Sequence, residues 1–264
     1  MPAVRLGDVD LYYELIDCTE PWRSGPPPAV LIHGLGTDRR LWLYQVPAFC
    51  GRVPTLLVDL RGHGRSSAPP GEWMVADMAR DVVRLLRHLG AEKAHLVGLS
   101  LGGMVAQQFA LDYPYATASL VLADTIAGPP PDARQPLRDA LAFIEGHSMR
   151  QVAETRITTA FSEAVDPVMR LHLIEQVALN DKAAYERAAR AAFSFDVRAR
   201  LGEIAAPTLV VVGDADRTFP IPWMEDVARD IRGARLVRLA GAGHLSNMER
   251  PQEFNRAVLD FLGV

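Results

Sequence analysis

His95-Leu96-Val97-Gly98-Leu99-Ser100-Leu101-Gly102-Gly103 runs from an apolar strand through a GxSxG signature and straight into a helical pattern. A chain that turns from strand to helix within a few residues forces its central residue into strained dihedrals. It leaves room only for small neighbours two positions away on either side, and Gly98 and Gly102 supply that room. The turn predicts a serine hydroxyl standing clear of a sheet, beside the amino end of a helix whose free N–H groups favour negative charge. Acyl transfer to water is the chemistry such a hydroxyl serves. GxSxG alone also fits a plain strand-to-helix turn, so its context carries the weight. Upstream lies an apolar strand end, and downstream Met104-Val105-Ala106-Gln107-Gln108-Phe109-Ala110 carries a helical apolar stripe.

The 264 residues suffice for one sizeable core, with a small insert at most, and the composition is that of an ordinary globular chain. The net charge of −4, with both signs scattered, forms no basic stripe, which argues against nucleic acid and anionic membrane as partners. Met1 to Asp8 lacks the apolar core of a signal peptide and no run approaches a membrane span, so the chain reads as cytoplasmic. Cys18 and Cys50 suggest neither a disulfide framework nor a metal site and read as buried free thiols.

Val4–Leu6 and Val9–Leu15 alternate around Gly7-Asp8 and read as an opening hairpin. Short apolar runs then recur at Ala29–Ile32, Thr55–Val58, His95–Val97, Ser119–Ala123, Thr208–Val212 and Arg235–Leu239. Runs apolar on both faces suit central strands of a parallel sheet covered by helices. Amphipathic stretches of helical length lie between and after them: Val75–Leu89, Gly103–Tyr113, Trp223–Ile231 and Gln252–Leu262. This is an α/β pattern with a mostly parallel eight-stranded sheet. One stretch breaks the rhythm. From about Thr125 to Phe195 no strand-like run occurs, and four helical patterns stand at Pro136–Glu145, Met149–Phe161, Pro167–Leu179 and Lys182–Phe193. A helical block after the sixth strand reads as a cap over residues 125–195, with the core in 1–124 and 196–264. The stiff Gly128-Pro129-Pro130-Pro131 run is its lead-in.

Serine is a weak nucleophile, so a base must take its proton as it attacks, and histidine suits that task. Of the seven histidines only His244 lies in a glycine-rich loop just past the last predicted strand, Leu239-Ala240-Gly241-Ala242-Gly243-His244-Leu245. Loops leaving the carboxyl ends of strands share one edge of an open α/β sheet, so Ser100 and His244 converge there. An acid must orient the imidazole, and three aspartates satisfy the order serine, acid, histidine. Asp216 is favoured, Asp214 reads as a turn former, and Asp124 after the sixth strand is the fallback. The developing oxyanion needs donors: the backbone N–H groups of Leu101 and of Leu35, in the loop Leu31-Ile32-His33-Gly34-Leu35-Gly36. His33 then braces that loop. Asp59-Leu60-Arg61-Gly62-His63-Gly64-Arg65-Ser66 reads as a tight, internally hydrogen-bonded turn. A dinucleotide site is the rival from another class, since Gly34-Leu35-Gly36 follows a strand. Arg39 stands where the third glycine of that fingerprint belongs, which argues against nicotinamide or flavin binding.

HGLG, DLRGHGRS, GLSLGG, GDADRTFP and GHLSNMERP occur in an order and spacing that resembles the α/β-hydrolase superfamily over nearly the whole chain. The resemblance implies the α/β-hydrolase fold with Ser100, Asp216 and His244 as its triad, Leu35 and Leu101 as its oxyanion hole, and no metal or cofactor. Within the superfamily, His33–Trp42, Gly98–Gln107, Asp196–Pro220 and Gly243–Phe254 look most like 3-oxoadipate enol-lactonases and the esterases near them. That likeness implies a carboxylic ester or lactone as small-molecule substrate, cleaved through an acyl-enzyme. It also implies a cap cation for the carboxylate of a lactone. Arg134, Arg138, Arg156 and Arg170 are the candidates, each of which serves equally as a solvated helix-face arginine. Phe143, Ile144, Phe161, Met169, Phe193 and Phe195 suit either the pocket wall or ordinary helix packing. Carbon–carbon bond hydrolysis or cofactor-free perhydrolysis on the same triad are alternatives, and a hydrolase-fold small-molecule receptor is the non-enzyme reading.

Overall fold

The computed structural model describes residues 3–19, 26–129 and 134–264, apart from the side chain of Arg134. The opening hairpin pairs β1 (Ala3–Leu6) with β2 (Val9–Ile16) through Gly7, whose φ of 76° the turn requires. The apolar runs form β3 (Ala29–Ile32), β4 (Thr55–Val58), β5 (Ala94–Leu99), β6 (Thr117–Ala123), β7 (Thr208–Gly213) and β8 (Arg235–Leu239). Among the described residues they make one eight-stranded sheet in the order β1-β2-β4-β3-β5-β6-β7-β8. The two pairings made by β2 are antiparallel and every other pairing is parallel.

The helices are α1 (Val46–Phe49), α2 (Val75–His88), α3 (Leu101–Asp112), α4 (Arg134–Gly146), α5 (Met149–Ala160), α6 (Pro167–Ala178), α7 (Lys182–Phe193), α8 (Ile221–Asp230), α9 (Ser246–Glu249) and α10 (Pro251–Leu262). They explain why the central strands are apolar on both faces. Val30, Ile32, Leu96, Leu120, Leu122, Val210 and Val212 pack into one core with Val82 of α2, Val105 and Phe109 of α3 and Met224 of α8. The alternate residues Leu31, Val97, Leu99, Val121, Leu209 and Val211 enter a second core with Phe49 of α1 and Phe254 and Val258 of α10. β8 departs from the expectation of a central strand. It is the outer strand, with Arg235, Leu236 and Arg238 exposed, and charge on such an edge discourages pairing with another chain.

Between β6 and β7 the four expected helices are present, their ends within a few residues of the sequence reading. Local chemistry starts three of them. Ser148 and Gln151 form a reciprocal capping box on α5; Asp166 accepts from the Val168 N–H at 2.7 Å ahead of Pro167; Asp181 accepts from the Ala184 N–H at 2.8 Å. Of the proline lead-in, Gly128 has φ 143°, while Pro130 and Pro131 lie outside the described residues. Cys18 and Cys50 are free but exposed, not buried as expected, because they sit in the loop leaving β2 and at the end of α1 rather than on a core face.

The strands end level. Ile32 lies opposite Gly98, Leu99 opposite Ala123, Ala123 opposite Val211 and Gly213 opposite Leu239, so the loops carrying His33, Ser100, Asp124, Asp216 and His244 leave from one edge. The loops after β3 and β4 brace each other there. The Leu60 N–H donates to His33 Nε2 at 3.0 Å, so His33 Nδ1 carries the proton and donates to the Gly34 carbonyl at 2.8 Å. In the DLRGHGRS turn, Asp59 accepts from the N–H groups of Arg39 and Arg65, each at 2.9 Å, and Arg61 forms a buried two-pronged pair with Asp81 at 2.7 and 2.9 Å. The His63 ring lies 5.0 Å from that of His33.

Two expectations follow. A Cβ on Gly98 would lie 2.2 Å from the Gly102 carbonyl oxygen, and one on Gly102 would lie 2.0 Å from that of Ile32, both backbone atoms that cannot step aside. Gly98→Ala or Gly102→Ala should therefore lower the melting temperature by roughly 10 °C or abolish soluble expression, and an unchanged melt would refute the close approach of α3 to the sheet. Burial pushes His33 down to about 4 and His63 to about 3, with the His33 ring adding to the effect on His63. Unfolded imidazoles bind a proton near about pH 6.5, so the stability these two residues contribute is complete above that pH and is lost as pH falls toward 4 and 3. Melting curves should show a steep loss between pH 6.5 and 4, and His63→Gln should flatten it.

Candidate active site

β5 delivers Ser100 at φ 56°, ψ −116°, the strained turn that the flanking glycines accommodate. Its backbone is held on both sides: the Ser100 N–H donates to the Ala123 carbonyl at 2.9 Å, and Thr125 Oγ1–H donates to the Ser100 carbonyl at 2.7 Å. The loop after β8 brings His244 Nε2 to 2.8 Å from Ser100 Oγ, and the loop after β7 brings Asp216 Oδ2 to 2.8 Å from His244 Nδ1. A carboxylate only accepts, so Nδ1 bears the proton and Nε2 is free to accept the Ser100 O–H. Asp216 is itself fixed, its Oδ1 accepting from the N–H groups of Thr218 at 2.6 Å and Phe219 at 3.3 Å. Phe219 stands edge-on to the imidazole at 5.2 Å. Burial alone would lower the pKa of His244, but the charge and hydrogen bond of Asp216, with the charge of Asp124, outweigh it and hold the ring above its ordinary value.

The structure separates the three aspartates. Asp216 meets His244. Asp214 joins the neighbouring loops, accepting from the Gly241 N–H at 2.6 Å. Asp124 is fully buried and bonds to Gly213 and Ser246 rather than to the imidazole. Leu35 and Leu101 flank the serine. The Gly34 carbonyl is occupied by His33 and by the Thr37 hydroxyl at 2.9 Å, and the trans peptide sets the Leu35 N–H on the opposite side. Leu101 opens α3, where N–H groups lack helical partners.

Above Ser100 lies a cavity of about 310 Å3, lined by Leu35, Ser100 and His244 below and by Phe143, Ile144, Arg156, Val177 and Tyr185 from α4 to α7. Of the six residues weighed for its wall, Phe143 and Ile144 line it; Phe161, Met169, Phe193 and Phe195 pack into the cores. Among the arginines Arg156 faces the cavity. Arg170 donates to the Ser162 carbonyl at 3.0 Å, Arg138 lines a separate surface groove, and the side chain of Arg134 lies outside the described residues. Arg156 is half-buried and makes no ion pair among the described residues, yet it lies close enough to act on the ionisation of both Tyr185 and His244. The Tyr185 hydroxyl is buried at the same cavity beside Arg156, with no other hydrogen-bond partner among the described residues. Sequence reasoning passed over Tyr185, whose helical position carries no motif, and gave no role to Thr218 although it stands within GDADRTFP.

The profile of the alpha/beta hydrolase family matches residues 29–257. The 3-oxoadipate enol-lactonase 2 of Acinetobacter baylyi is 30% identical over 235 residues, covering 88% of this chain and 87% of its own. A Variovorax paradoxus protein named "Putative carbamate hydrolase RutD" is 33% identical over 240 residues, covering 88% of this chain and 90% of its own. The crystal structure of the enol-lactonase from Burkholderia xenovorans superposes with a TM-score of 0.91 at 28% identity, over 100% of both chains. These matches and the sheet that positions the site agree: the chain belongs to the alpha/beta hydrolase family.

Proposed function

We propose that this chain is a serine hydrolase that cleaves a small carboxylic ester or lactone through an acyl-enzyme on Ser100, with the helices of residues 125–195 serving as a cap on a core of 1–124 and 196–264. The observation that carries the reading is the hydrogen-bonded chain Ser100–His244–Asp216 at the floor of the cavity. Ser100 Oγ attacks the substrate carbonyl while His244 Nε2 takes its proton, and the N–H groups of Leu35 and Leu101 receive the oxyanion. Collapse of that intermediate expels the alcohol or enol oxygen, which collects the proton from His244. Water, deprotonated in turn by His244, attacks the acyl carbonyl and returns Ser100. Asp216 keeps the ring in the needed tautomer and balances its positive charge. In the reaction His244 must start neutral, so activity should fall as pH drops through its raised pKa.

A cavity of about 310 Å3 stands at the small end of ligand sites. Its Arg156, which has no ion pair among the described residues, favours a substrate that carries a carboxylate away from the scissile carbonyl, as an enol-lactone of a dicarboxylic acid does. The named RutD relatives support a second reading, in which the same serine attacks a carbamate carbonyl.

The test compares 3-oxoadipate enol-lactone, p-nitrophenyl acetate and a small carbamate with wild type and variants. Ser100→Ala should abolish turnover, and Asp216→Asn should cost on the order of 10⁴ in kcat. Arg156→Gln should raise KM for the anionic lactone about tenfold or more while leaving that for the neutral ester nearly unchanged. Carbamate turnover above lactone turnover would select the second reading, and turnover surviving in Ser100→Ala would refute both.

A further inference from the structure

Three consecutive residues at the end of β6 touch every segment that carries a member of the Ser100–His244–Asp216 chain. The Ala123 carbonyl receives the Ser100 N–H at 2.9 Å, and the Thr125 hydroxyl holds the Ser100 carbonyl at 2.7 Å. Between them Asp124 reaches the other two loops. Its Oδ1 accepts the Gly213 N–H at 2.8 Å, at the root of the loop bearing Asp216. Its Oδ2 accepts the Ser246 hydroxyl at 2.5 Å and the Ser246 N–H at 3.3 Å, two residues beyond His244. These loops also press on each other directly: a Cβ on Gly213 would lie 2.2 Å from the Gly243 carbonyl oxygen.

The backbone makes room for this arrangement at a cost. Asp124 and Ser100 are the two residues other than glycine with positive φ among the described residues, at 46° and 56°. A strained conformation persists where the surroundings over-determine it, and Asp124 is over-determined by three side-chain hydrogen bonds inside a fully buried site. Nothing in the acyl-transfer sequence uses this carboxyl. It carries no bond to the imidazole, and no lysine or arginine neutralises it by hydrogen bond or ion pair among the described residues.

We propose that Asp124 is a positioning residue of this site, a buried carboxyl that clamps the acid loop to the histidine loop and whose charge acts on His244. The inference rests on the reading of Ser100, His244 and Asp216 as the reacting groups. The groups that act on the Asp124 carboxyl are Asp216, from the loop after β7, and His244, from the loop after β8; on His244 they are Asp216 and Asp124, opposed by Arg156 of α5. Burial, then the charge of Asp216, push the Asp124 carboxyl up to about 7, and the charges of Asp216 and Asp124 hold His244 above its ordinary value. Two interacting buried groups titrate as a pair, and the acid limb of the rate profile then belongs to both.

The signs are definite. An ionised Asp124 favours protonated His244, so removing the charge lets His244 become neutral at lower pH. Asp124→Asn keeps the size and an oxygen for the Gly213 N–H. It should move the acid limb of kcat/KM for p-nitrophenyl acetate toward lower pH by about half a unit or more. Asp124→Ala, which loses the clamp as well, should lower kcat by tenfold or more with little change in KM. Ser246→Ala removes the hydroxyl that steadies the carboxylate, and should shift the limb in the same direction as Asp124→Asn. Limbs and kcat unchanged in the Asp124 variants would overturn the proposal, as would a loss of kcat with no movement of the limb in Asp124→Asn and Ser246→Ala. If these variants do not fold, the imidazole Nδ1–H and ring signals of wild-type His244 are followed by NMR across pH 5–9. Two inflections are expected, and a single one overturns the proposal. Ser100→Ala separates the two claims. Turnover surviving there refutes the serine reading itself, whereas turnover lost there with unchanged Asp124 variants refutes this inference alone.

Discussion

Between β5 and α3 the backbone passes through a positive φ at Ser100, a conformation that costs on the order of 1–3 kcal/mol for a residue with a Cβ. The surroundings are arranged to hold it. Gly98 and Gly102 let α3 lie against the ends of β3 and β5 with backbone nearly touching backbone, and Ala123 and Thr125 pin the serine from the next strand. Because β3, β5, β6 and β7 end level, the same edge that strains Ser100 also aligns the loops bearing His33, Asp124 and Asp216. The serine stands at the amino end of α3, where unpaired N–H groups and the helix dipole favour negative charge.

The electrostatics around that turn follow from which buried groups find partners. Three histidines share nearly complete burial and differ in their fate. His33 and His63 meet backbone groups and each other, and are held neutral; His244 meets the Asp216 carboxylate, lies within the field of Asp124, and is held above its ordinary pKa. The Tyr185 hydroxyl and the Arg156 guanidinium lie beside each other at the cavity over Ser100, the arginine without an ion pair among the described residues. A cation without a counter-charge in such a place is a cost to the empty protein that a ligand of matching charge relieves.

Much of this was legible in the chain, for identifiable reasons. Ala29–Ile32 and Thr55–Val58 were readable to the residue because short runs of apolar residues have few other uses in an α/β protein, and the bounds of Arg235–Leu239 also matched although two of its five residues are arginines. The edge position of β8 was not, since strand order is set by pairings between residues far apart in sequence. Ser100, His244 and Asp216 could be named because each follows a strand in a glycine-rich or turn-rich loop. Choosing Arg156 from four arginines, or finding the Tyr185 hydroxyl, required knowing how α4 to α7 lie over the sheet, which helical spacing does not encode. Asp124 was visible only as a spare acid. Its hydrogen bonds to Gly213 and Ser246 span 89 and 122 residues of chain. Cys18 and Cys50 were misplaced because burial propensity is an average over residues, and these two sit on exposed connections.

Covalent trapping tests the central claim most directly. Wild-type protein treated with one equivalent of a fluorophosphonate should gain a single adduct by mass spectrometry, located on the peptide that contains Ser100, and His244→Ala should slow its formation severely. An adduct on another residue, or none at all, or labelling of equal rate without His244, would contradict a serine activated by the imidazole 2.8 Å away.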